Sequence, residues 1–186
     1  MGHREDLLVG AKRALYEKGY ARTTARDIVA LSGTNLGSIG YHYGSTEALM
    51  TAAMLAAMRE WGEALGKALS EGDGTPAGFW RRIIESITTD RPLWLASVEV
   101  MIQAEHNPAL REQLAAGLDA GRRGMAAIAL GVPEDQIDEA TARSVGSAQM
   151  ALMSGIVTQW LTDPASAPAP DQIVAGVRAL TTARPS

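Results

Sequence analysis

His3, His42 and His106, with the carboxylates Glu99 and Glu105 near the last of them, come closest in this 186-residue chain to a grouping that could move protons or hold a metal. The histidines stand singly, without a paired acidic spacing. With no cysteine anywhere in the chain, disulfides, zinc ribbons, thiol catalysis and iron–sulfur ligation are excluded. Glu99, Glu105 and His106 lack a serine or other nucleophile in a recognisable arrangement, so solvated or capping roles are expected for them. Gly33, Gly37 and Gly40 have the look of a phosphate-cradling loop, but such loops follow a strand and no strand signal precedes them. No catalytic, cofactor or metal site is expected.

The elements that position these residues read as helices throughout. No stretch alternates with period two, only one phenylalanine occurs, and Ala, Leu, Met, Glu and Arg dominate. Leu7, Leu8, Ala11, Ala14 and Leu15 form an apolar stripe that stops at Gly19. Thr24-Ala25-Arg26-Asp27 fits a capping box for a helix that ends at Ser32-Gly33 after two turns. Asn35 can cap a third short helix to about Tyr41, and Ser45 a long fourth with Glu47 in its first turn. Glu71-Gly72-Asp73-Gly74 breaks the chain and Thr75-Pro76 restarts it. Breaks at Asp90-Arg91-Pro92 and Asn107-Pro108 divide residues 76–130 into three helices, the last ending at Gly131-Val132-Pro133. A long helix is expected from near Gln136 to Thr162, then a proline-rich linker over 163–170, and a last helix capped by Asp171. The total is nine. The reading is an all-α chain.

Residues 24–43 have the lengths of a helix-turn-helix, with Gly33 at the turn where a positive φ is needed. In such a unit the second helix enters the major groove while the first crosses the backbone. Net charge is −4, but residues 1–50 carry six Lys or Arg against five Asp or Glu, whereas the remainder is acidic. The asymmetry points the right way for a DNA face.

Leu15-Tyr16-Glu17-Lys18-Gly19-Tyr20, Thr23-Thr24-Ala25-Arg26-Asp27-Ile28, Gly33, Gly37-Ser38-Ile39-Gly40-Tyr41-His42-Tyr43 and Ser45-Thr46-Glu47-Ala48-Leu49 together resemble the DNA-binding region of the tetracycline-repressor (TetR) family. The resemblance spans residues 7–50, about a quarter of the chain, and beyond it the agreement is in helix layout. It implies a nine-helix fold, with an N-terminal DNA-binding domain over 1–46 that reads DNA by the first three helices, and a ligand-binding and dimerisation domain over 47–186 that dimerises through the last two. Position by position it implies a phosphate contact for Thr24 and a base contact for Arg26, whose guanidinium can bridge guanine O6 and N7. Asn35, Leu36, Gly37 and Ser38 then form the turn that faces bases, and Tyr41 and His42 match phosphate contacts. Three positions depart from the pattern. Leu36 and Thr46 stand where many members carry lysine, and Gly40 where many carry tyrosine. Fewer cationic contacts predict weaker non-specific binding and a shallow salt dependence.

Met58 and Trp61, Trp80 and Ile84, and Trp94, Val98 and Met101 fall on stripes at helical spacing. Ordinary core is one reading of them, and the wall of an apolar ligand chamber between helices is the other. The resemblance places an effector site among helices four to seven, with Gln103 or Glu99 as a polar anchor. Ser144, Ala148, Ala151 and Gly155, with Leu152 one turn around, and Ile173, Val177 and Leu180 on the last helix, suit a four-helix dimer interface. Packing within one subunit is the alternative.

The sequence thus reads as a repressor: a homodimer on an inverted-repeat, double-stranded DNA operator, released by a small-molecule effector. An activator or ligand-independent regulator of the same fold, and a helical ligand carrier, stay open. No apolar run approaches the eighteen or so residues of a membrane span, and the polar start, Met1-Gly2-His3-Arg4-Glu5-Asp6, lacks a signal-peptide core. A cytoplasmic protein with no membrane partner is expected.

Overall fold

The computed structural model describes residues 3–182, and within them the side chain of Ser70 is left aside. Among the described residues there are nine helices and no strand: α1 (His3–Lys18), α2 (Ala25–Ser32), α3 (Leu36–Tyr43), α4 (Thr46–Ser70), α5 (Pro76–Thr89), α6 (Arg91–Ala104), α7 (Pro108–Leu130), α8 (139–162) and α9 (Pro170–Thr182). None is long and apolar enough to cross a membrane.

The helix ends follow local side-chain chemistry. Thr24 and Asp27 form the expected capping box at α2, and Gly33 closes that helix at φ 67°. Asn35 caps α3, Ser45 caps α4, Thr75 followed by Pro76 starts α5, and Asn107 accepts the Leu110 N–H at the start of α7. Two starts differ from expectation. A 3-10 turn at Glu134–Gln136 comes first, so α8 begins at residue 139, where the Asp138 carboxylate accepts the Thr141 N–H at 2.7 Å. The last helix opens at Pro170 rather than behind an Asp171 cap, because proline suits the first helical position and Gln172 Oε1 takes the Ala169 N–H at 2.8 Å.

A π-turn, Ala142–Gly146, interrupts α8 near its start. Its last residue, Gly146, lies where a methyl would overlap the Arg122 carbonyl oxygen of α7. Backbone meets backbone there, and only glycine allows it.

Residues fall into two compact units. Of the described residues, the first comprises 3–61 and 92–120, and the second 62–91 and 121–182. In the first, Leu7, Leu15, Ile28, Ile39, Leu49, Leu93, Val100 and Leu110 share one core. The three N-terminal helices are therefore not an isolated bundle but pack into one unit with parts of α4, α6 and α7. Gly10 brings α1 close to α2, since a methyl there would meet Ser32 Cβ at 2.7 Å. In the second unit α5 packs on α8 and α9, burying Trp80, Ile83 and Ile87.

Candidate functional site

In the first unit α2, the Gly33 turn and α3 form the expected helix-turn-helix, and Ile28 and Ile39 sit in the core beneath it. The opposite face of α3 is open. Leu36 and Gly37 are exposed, Tyr41 is 86% exposed, and the Tyr41 and His42 rings meet edge to face at 4.8 Å.

Two of the expected contact residues already have local work. The Thr24 hydroxyl donates to Asp27 Oδ2 at 2.7 Å and accepts the Asp27 N–H, and Asn35 Oδ1 accepts the Ser38 N–H at 3.0 Å. Both side chains hold helix starts. Ser38 is half-buried, as are His42 and Thr46.

Among the cations of the first fifty residues, five are engaged. Lys12 pairs with Glu60, Arg13 with Glu17 and Lys18 with Asp27, the Arg22 Nε donates to the Lys18 carbonyl, and Arg4 lies over the Tyr43 ring. Arg26, exposed in the first turn of α2, has no side-chain partner among the described residues. A free guanidinium on the edge of the motif can make the bidentate contact that reads a guanine.

Lys18 does more than neutralise. Its ammonium lies 2.5 Å from the Asp27 carboxylate and, with hydrogen bonds from Thr24, holds that carboxyl at a pKa of about 2. Tyr43 is anchored too: its hydroxyl donates to the Arg4 carbonyl at 2.9 Å, and burial raises its pKa.

The aromatic positions divide between the units. In the first, Trp61 of α4 and Trp94 of α6 meet edge to face at 4.8 Å, with Met58 packed on the same core. Trp94 is only 3% exposed, and neither indole N–H has an acceptor among the described residues. Val98, Met101 and Gln103, expected on the same wall, instead face outward. Residues Arg91–Ala104 are apolar nearly all round, and the stripe Leu93, Ala96, Val100, Ala104 took the core. Periodicity alone could not choose between two such stripes.

In the second unit a cleft of ≈ 1070 Å³ is lined by the end of α4, by α5, by the end of α7 and by α8 and α9. Trp80 lines it, alone among the eight residues expected at a ligand site; Ile84 is half-buried on the same helix. Leu69, Phe79, Ile128 and Val132 supply apolar wall, while Arg81 faces Asp73 at 3.6 Å and Arg82 pairs with Glu85 at 2.9 Å.

On α8 the residues Ser144, Ala148, Ala151 and Gly155 are all exposed, as is Leu180 on α9. Leu152 and Val177 are half-buried and line the cleft. Ile173 does not join that face. It is 6% exposed and belongs to the interior of its own unit, and the exposed stripe of α9 is Ala175, Gly176, Ala179 and Leu180.

Sequence reasoning missed the polar ties within the first unit. Glu99 accepts the Ala21 N–H at 3.0 Å and the Asn107 amide donates to Glu47 at 2.5 Å, so each carboxylate ties distant parts of the unit together. Long-range pairs of this kind leave no local pattern to find. Among the described residues no group of three or more His, Asp or Glu could hold a metal.

A helix-turn-helix that carries a guanidinium unpaired among the described residues and an exposed aromatic side chain, on an otherwise helical chain, has the form of a DNA-binding transcriptional regulator. Residues 7–53 match the family model of bacterial regulatory proteins, tetR family, and residues 71–183 that of the tetracyclin repressor-like C-terminal domain. The chain belongs to the TetR family. It is 27% identical to the HTH-type transcriptional regulator TtgR of Pseudomonas putida, over 88% of this chain and 82% of that protein. The probable regulator ArpR of Pseudomonas putida is 26% identical over the same shares. Two solved structures share the fold. One is a transcriptional regulator from Rhodococcus sp. RHA1, with a TM-score of 0.76, 17% identity, and coverage of 96% of this chain and 95% of that one. The other, the multidrug binding protein EbrR in complex with proflavin, has a TM-score of 0.67 and 23% identity over 95% and 99%.

Proposed function

We propose that this regulator is a repressor that binds an inverted-repeat operator as a homodimer and lets go when a small apolar or amphipathic molecule enters its helical body. The observation that carries the DNA half is Arg26, exposed on the helix-turn-helix with no partner among the described residues. Tyr41, Leu36 and Gly37 extend the same surface along α3.

The dimer reading is supported by the small, exposed residues of α8 and α9. Gly155 and Gly176 have open space beside them, so two backbones can approach closely there. A two-fold pair presents two recognition helices to successive major grooves, which dictates an inverted repeat. The ligand reading is supported by the Trp61–Trp94 pair and by the Trp80 cleft, whose volume suits a small molecule. EbrR, of the same fold, holds proflavin. A ligand releases DNA only through its differential affinity for the bound and released states.

Selection of bound sequences from a random DNA pool tests the first half. An inverted repeat should emerge, and Arg26→Ala and Tyr41→Ala should each weaken its binding about tenfold or more while leaving the urea midpoint in place. Enrichment of no common sequence overturns the reading. A reporter on the selected sequence then separates repression from activation.

A further inference from the structure

Of the four tryptophans, Trp160 donates its indole N–H to the Pro168 carbonyl at 3.3 Å, which is how a half-buried indole is ordinarily satisfied. Trp61 and Trp94 break that rule together. Their N–H atoms are shut off from solvent, neither meets an acceptor among the described residues, and the rings touch. One unpaired buried donor is uncommon, and two in contact, on different helices, call for a reason.

The chemistry of the pair narrows what could meet it. An indole N–H donates and cannot accept, so the complement is an acceptor atom. Thr51 is the only buried polar or charged side chain among the described residues, and its hydroxyl is engaged with Tyr20 and the Glu47 carbonyl. No fully buried ionic side chain among the described residues stands ready to pair with a charged molecule, so an uncharged one suits the two indoles better. Trp61 is only partly buried; it and Met58 of α4 pack on the core of the first unit, and its ring meets the enclosed Trp94. The cleft of the second unit is a poorer match to one ligand chemistry. It is wide and open, and Arg81 and Arg82 are already met by Asp73 and Glu85.

We propose that Trp61 and Trp94 are the hydrogen-bond donors of an effector site that takes uncharged, largely apolar molecules carrying an acceptor oxygen, such as an aryl ketone or ester. The site rests on the reading that this regulator responds to a ligand. Trp94 donates to the acceptor and the Trp61 ring packs on the apolar body.

The test uses two probes of similar size, benzophenone with its acceptor oxygen and the hydrocarbon diphenylmethane without one, with proflavin as the charged comparison. Binding to the full chain is measured by tryptophan quenching and calorimetry. Benzophenone should bind about tenfold tighter than diphenylmethane, the difference one to two hydrogen bonds supply. Proflavin should be the weakest. Trp94→Phe and Trp61→Phe keep an aromatic ring and remove the donor, so each should shrink the ketone-to-hydrocarbon ratio towards one. The ratio is read within each variant and so does not depend on how stable that variant is. Equal affinities for the two probes, or a ratio untouched in both variants, overturns the site. A separate titration of the selected operator tests the reading beneath it. Benzophenone that binds through the two indoles without altering operator affinity upholds the site and sinks the ligand response.

Discussion

Glu99 on α6 and Ala21, in the turn between α1 and α2, are joined by a hydrogen bond of 3.0 Å from the Ala21 backbone N–H to the Glu99 carboxylate. Both carboxylate oxygens lie 3.4 Å from where a methyl at Gly19 would stand, and Gly19 has φ 87°. The turn that leads into the helix-turn-helix is thus held from α6, within one unit. Glu99→Ala should cost about 1.5–3 kcal/mol, the range for a hydrogen bond to a charged group, while Glu99→Gln, which keeps an acceptor, should cost less. Urea unfolding reads both. Equal losses in the two variants would show that the acceptor is not what matters.

The short supply of free cations on the motif has a measurable consequence for DNA binding. Each phosphate neutralised adds about 0.9 to the slope of log affinity against log salt. Leu36 is 52% exposed at the start of α3, so a lysine there has room to reach a phosphate. Leu36→Lys should raise affinity at low salt and steepen the slope by about one. A salt titration from roughly 50 to 300 mM decides it, and a parallel line for the variant would place residue 36 away from the backbone.

The DNA-reading part was legible because its signals are local. Thr24 with Asp27, Gly33 and Asn35 state their helix ends in the residues themselves, and the structure has each in that role. Elsewhere the signals were ambiguous. On α6 two apolar stripes compete, and only the packing of Leu93 and Val100 against the core shows which one is inside. The Ile173 position had the same difficulty, since a partner's surface and the chain's own interior demand the same side chain. The Glu99 and Asn107 ties join residues 78 and 60 positions apart. No spacing rule could have found them.

Two glycines in helices should respond to alanine with opposite signs. Nothing stands within 4 Å of a methyl at Gly40, and its φ is not positive, so Gly40→Ala should stabilise α3 by up to about 1 kcal/mol. At Gly146 the same methyl would collide with the carbonyl oxygen, carbon and Cα of Arg122, none of which can rotate aside. Gly146→Ala should cost about 1–3 kcal/mol or more as α7 and α8 are forced apart. Thermal unfolding of the two variants compares them directly. A destabilised Gly40→Ala would mean that the recognition helix needs a glycine for something other than space.

Acid should loosen α2 in a defined window. The Asp27 carboxyl is held at a pKa of about 2, first by the Lys18 ammonium and then by the Thr24 hydroxyl and backbone N–H. In the unfolded chain an aspartate titrates near ~3.9. Since the folded value is the lower one, the Asp27 contribution is fully present above about pH 4 and is lost as pH falls towards 2. Asp73, Asp138 and Asp163 are also held low by hydrogen bonds at turns and helix starts, so the whole fold weakens in acid and a comparison is needed. Asp27→Asn removes one titration and leaves the others. Its stability should trail that of the parent above about pH 4, and the gap should close between about pH 4 and 2. Urea midpoints taken across that range test this, and curves that stay parallel down to about pH 2 would remove Asp27 from the acid response.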